Sequence, residues 1–169
     1  MNIDGIESKL YQMLQNSTFD LGFFHPYIVD FAVVLPLLAL FFHFVAILTA
    51  GAEQSNRGLQ VAANLLFFGS FVAIIFAYLT GLGQSREIFD MLPKLGQATY
   101  HSHATLGTFL LFGFLILLVV KSISMLVKKD AVRYLFGTLF FFMILLLVYQ
   151  WVLGIQLVYD YGAGVSIAQ

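Results

Sequence analysis

In a chain that is 60% hydrophobic, few side chains can do chemistry: His25, His43, His101, His103, and Asp30 set in an apolar run. An ionisable residue in a membrane helix is costly and marks a functional site by default. Imidazole is the commonest neutral ligand for haem iron, zinc and copper. Two histidines on facing helices can clamp a haem in a four-helix bundle. A carboxylate that takes the other ring N–H fixes the tautomer, and Asp30 suits that role. Gly107, one turn after His103, would let the helices stand back from a macrocycle. Tyr159 opens a Gly-rich tail at the same depth. The expected cofactor residues are therefore His25, His103 or His101, Asp30, Gly107 and Tyr159.

Two other uses of these residues stand beside haem. His25, His101 and His103 could chelate a Zn or Cu ion if the start of the third span is extended, with His43 as a separate ligand. Alternatively, His25 caps a helix before Pro26, the H-x-H pair is solvated, and Asp30 hydrogen-bonds Gln156 or Tyr159. Residues two apart on a helix differ by about 200°, so only one of His101 and His103 can face a core. His43 lies about 27 Å along the helix from His25. With no histidine at that depth in the other spans, a second bis-histidine site is not expected. His43 then reads as a helix-packing residue, or as one that bonds Asn64 or a neighbouring subunit.

The elements that must position these groups are membrane helices. Of the 169 residues only 10% are charged and 19 are Phe, more apolar surface than a soluble domain this size can hide. The predicted fold is all-α: a single domain over 1–169, an integral membrane four-helix bundle. Its helices are expected at about 26–50, 58–80, 102–126 and 132–158, each reaching the roughly 20 residues a bilayer needs. Residues 1–22 are read as an amphipathic N-terminal segment, helical over 3–16 and lying at the interface. MNIDGIESKLYQMLQNS lacks the form of a cleavable signal, so the first span is expected to stay in place. Residues 84–100 form the longest expected connection. The short loops on one side hold five Lys and Arg residues against three on the other. The positive-inside rule puts those loops in the cytoplasm and both termini outside. His25, His101 and His103 then share an outer layer, with Asp30 about 7 Å deeper.

Other chemistries are excluded by what is missing. There is no Cys, hence no thiolate metal site, iron–sulfur cluster or covalent haem link. No nucleophile–base pair, phosphate-binding Gly-rich loop or H-E-x-x-H motif is present. A net charge of −1 does not suit nucleic acid. Four spans without paired broken segments give little sign of alternating access.

Three segments carry a resemblance. HPYIVDF resembles the H-P-x-x-V-H-F-P opening of a family of small bacterial four-helix membrane proteins of unknown function. AYLTGLG resembles that family's A-x-x-x-T-G close of helix 2, and LGIQLVYDYGAGV its G-G-x-L-V-Y-x-x-G-x-G-V ending. The resemblance implies the fold and a bacterial inner-membrane location, but no activity. The family's second histidine falls on Asp30 here. A weaker, fold-level likeness is to haem b membrane cytochromes. The leading expectation is a haem b-binding membrane protein, an electron-transfer subunit with an outer-side redox partner. The alternatives are a cofactor-free accessory subunit of a larger membrane complex, or a homodimer, and an outer-side Zn/Cu protein.

Overall fold

The computed structural model describes residues 24–49, 53–127 and 129–164. Among these are four helices and no strand: α1 His25–Leu48, α2 Glu53–Met91, α3 Lys94–Val127 and α4 Asp130–Tyr159. Each contains a stretch long and apolar enough to cross a membrane. The amphipathic helix expected over 3–16 lies outside the described residues.

The helices run up and down in chain order. Packing is closest within the hairpins α1/α2 and α3/α4. Pro26 occupies the first turn of α1, where its missing N–H costs nothing. Pro36 is buried inside the same helix. Both loops joining the hairpins are short, so His43 at the end of α1 meets the start of α4. At the opposite end His25 meets α2, and His103 meets the end of α4.

Two boundaries on either side of one connection differ from expectation. Helix 2 does not stop at Gly81–Gly83 but continues to Met91, and α3 begins at Lys94 rather than near 102. The connection expected over 84–100 is helical on both sides of a break at Leu92–Pro93. Proline has no N–H to continue a helix and disfavours α geometry in the residue before it. Glycine merely weakens a helix, by about 1 kcal/mol. At 39 residues, α2 is about 58 Å long and outruns a hydrocarbon core of roughly 30 Å.

The middle of the bundle is aromatic. Phe67 of α2, Phe114 of α3, and Phe136 and Phe140 of α4 are almost wholly buried. Phe67 meets Phe136 and Phe140 edge-on, with centroids 5.2 and 5.3 Å away. Phe114 meets Phe140 edge-on at 6.1 Å. Edge-to-face pairs of this kind contribute about 0.5–1.5 kcal/mol beyond area burial. Outside, large apolar side chains such as Phe31, Leu65 and Leu126 are exposed along the spans. Such a surface is stable against lipid, and the chain is a multi-pass membrane protein.

At the end of α4, Gly162 (φ 70) takes a left-handed conformation that an L side chain rarely adopts. This lets the N–H groups of Gly162 and Ala163 turn back to the carbonyls of Val158 and Leu157, at 3.0 and 2.9 Å. Tyr161 then lies on α3 at Gly96, where an added Cβ would come within 3.1 Å of its ring.

Candidate functional site

Five turns of α-helix take 18 residues. His25 and His43 are 18 residues apart on α1; His103 and Lys121 are 18 apart on α3. Each helix therefore presents two polar groups on one face, about 27 Å apart. The result is two polar layers, one at each end of the aromatic core.

The first layer contains His25 and His103. His25 Nδ1 lies 2.9 Å from Thr80 Oγ1. Thr80 is buried, and its hydroxyl donates within its own helix to the Phe76 carbonyl at 2.8 Å, with the Ala77 carbonyl at 3.1 Å. With its one proton used, Thr80 can only accept from His25, so Nδ1 carries the ring hydrogen. Nε2 then holds the lone pair. Gly81 makes room for this ring: a Cβ there would lie 2.9 Å from His25 Cε1. The T-G pair read as a helix end is thus a seat for histidine inside a continuous helix.

His103 faces the other hairpin. Its ring lies beside the Gln150 backbone carbonyl and against Gly154, where a Cβ would come within 3.3 Å of Cε1. Its Nδ1 is buried and, among the described residues, has no hydrogen-bond partner. The same holds for Gln150 Oε1. Gly107 lies at that amide, with its Cβ position 3.2 Å from Gln150 Nε2. His103 is within electrostatic reach of His25. The layer thus has one part-buried imidazole per hairpin, each seated on a glycine of the neighbouring helix.

Three other expected residues point elsewhere. His101 is exposed and stacks edge-on against Phe89, centroids 5.1 Å apart. Because α3 is helical from Lys94, His101 and His103 are on opposed faces, and the Zn/Cu triad with His25 does not assemble. Among the described residues, no group of three or more His, Asp or Glu side chains gathers as a metal site. Asp30 is exposed on α1, as are the nearby Tyr27 and Phe31. Five residues turn a helix about 140° past His25, which carries Asp30 away from α2. Tyr159 is 82% exposed at the end of α4.

Of the second layer only His43 was expected, as a separate ligand or a helix-packing residue. His43 is only 6% exposed and Lys121 only 7%. His43 meets the Phe136 ring edge-on at 5.1 Å, and the Lys121 ammonium lies 4.7 Å above the same ring. Gly137 makes room for His43, with its Cβ position 3.1 Å from Nε2. That nitrogen is buried and unpartnered among the described residues, as is Arg133 Nε. Arg133 Nη2 pairs with Asp130 at 3.0 Å. Between these groups lies a cavity of about 390 Å³, lined also by Asn64, Ser124 and Lys129. Lys121 was placed with the loop charges in the sequence; the repeated 18-residue spacing is the signal that could have found it.

No curated protein and no solved structure matches the chain. One family model does, that of a predicted membrane protein (DUF2231), over residues 23–167. This range takes in all four helices and both polar layers, and the chain belongs to the DUF2231 family of predicted membrane proteins.

Proposed function

We propose that the chain binds one b-type haem between its two hairpins, with His25 and His103 as axial ligands. The observation that carries this is the convergence of His25 and His103, one from each hairpin, on one part-buried layer, with Nδ1 of His103 lacking a hydrogen-bond partner among the described residues. Thr80 is the group that holds the His25 tautomer, the role first assigned to Asp30. Gly81, Gly154 and Gly107 keep side chains out of the layer, and Gln150 has an open carbonyl oxygen beside it. These residues fit haem in donor type and in their placement on facing hairpins. Bound haem supplies one-electron transfer; the protein supplies ligands, a water-poor surround and a fixed imidazole orientation. The function is then that of an electron-transfer subunit.

The test is a variant series read by visible spectroscopy of detergent-purified protein. His25→Ala and His103→Ala should each abolish the reduced α band, and His101→Ala should keep it. Loss on His101→Ala with retention on His103→Ala would overturn the assignment.

A second reading, an accessory subunit, is favoured by Asp30. A carboxylate on the outer face of a span, among exposed Tyr27 and Phe31, is costly against lipid. A partner helix bearing a donor would remove that cost. Cross-linking through a cysteine placed at position 31, lost on Asp30→Ala, checks this.

A further inference from the structure

The second polar layer has the chemistry of an anion site. Lys121 is buried in the bundle, with its ammonium over the Phe136 ring and on the wall of the cavity. Among the described residues no carboxylate pairs with it. Arg133 and Lys129 bring two further cations to the same cavity, against one carboxylate, Asp130. That carboxylate already holds Arg133 Nη2, and Arg133 Nε is left open. His43 supplies another buried, unpartnered nitrogen on the cavity wall. A buried ammonium without a counter-charge is strongly unfavourable, and buried charges are paired as a rule.

We propose that this cavity binds a phosphate group, with Lys121 and Arg133 as its main charge partners and His43 as a hydrogen-bond partner. Phosphate fits better than a carboxylate because its oxygens diverge, and the donors here come from three helices. Arginine's fork and lysine's point charge are the usual pair for this. The cavity is much larger than a bare ion, and Ala46, Ile47 and Met125 supply apolar wall for whatever carries the phosphate. It opens at the end where α1 meets α2 and α3 meets α4, the depth at which basic pockets between membrane helices take lipid headgroups. The phosphate therefore belongs either to a phospholipid headgroup or to a small water-soluble phosphate compound. This site is independent of haem in the other layer.

The experiment titrates the purified full-length protein in neutral detergent and follows its unfolding midpoint. One arm uses inorganic phosphate, with chloride at matched ionic strength as control. The other uses dioctanoyl phosphatidylglycerol, with dioctanoylglycerol as control. A saturable rise in either phosphate arm alone is the expected result. Saturation by inorganic phosphate indicates a soluble ligand; saturation only by phosphatidylglycerol indicates a headgroup. Lys121→Met, which keeps the apolar stem, should raise the half-saturation concentration about tenfold or more. Arg133→Gln should do the same, and decides the matter if Lys121→Met does not fold. No saturation in either arm, a response equal to that of the controls, or wild-type half-saturation in the folded variants would overturn the proposal.

Discussion

Gly81→Ala is the sharpest probe of the His25 seat. The added methyl would lie 2.9 Å from His25 Cε1. Carbon atoms pack at about 3.5–4.0 Å, so the ring must retreat by roughly 0.6 Å or more. The His25–Thr80 contact is 2.9 Å and stops being a sound hydrogen bond beyond about 3.2 Å. Retreat therefore strains the packing and breaks the bond. Overpacking costs about 1–3 kcal/mol and the lost hydrogen bond about 0.5–1.5 kcal/mol. Against this, alanine regains up to about 1 kcal/mol of helix propensity. The net expectation is a loss of about 1–3 kcal/mol. Gly83→Ala is the matched control, two residues away in the same helix with nothing within 4 Å of its added Cβ. It should be neutral or stabilising by up to about 1 kcal/mol. Both variants would be unfolded reversibly in mixed detergent micelles and compared with wild type. If Gly81→Ala is as stable as Gly83→Ala, the histidine seat is wrong.

Three further outcomes follow from the same contacts. Thr80→Val keeps the shape but removes the acceptor of the His25 N–H, leaving a buried donor unpaired, and should cost about 1–3 kcal/mol, whereas Thr80→Ser should cost less; denaturation in micelles separates them. Phe140→Ala removes a fully buried ring in contact with Phe67, Phe114 and Phe136, and should cost about 3–5 kcal/mol by the same assay. His101→Ala lies on the exposed face of α3 and should stay within about 0.5 kcal/mol of wild type.

The spans were legible because each apolar run is long enough to leave no other reading, and four helices able to cross a membrane are present. What misled was punctuation. Gly81 and Gly83 looked like a terminus, but a glycine also serves to admit a neighbouring ring, and only the bundle shows that His25 is there. Pro93, inside the stretch expected to be the connection, is the real break. His103 could not be chosen over His101 from spacing alone, since the choice is made by Gly154 on α4. Asp30 looked like the natural partner of a histidine, yet helical phase carries it outward, and Thr80 takes its place from another helix. Lys121 was overlooked because a lysine near a helix end reads as a topology signal. Its distance from His103, equal to that from His25 to His43, was already in the numbering.

A haem held by the His25–His103 layer has an optical signature of its own. The most direct measurement is the haem content and dithionite-reduced spectrum of wild-type protein expressed with haem supply and purified in detergent. One non-covalent b-type haem per chain is expected, with sharp reduced α and Soret bands. A well-folded, haem-free protein with a featureless visible spectrum under those conditions would contradict it.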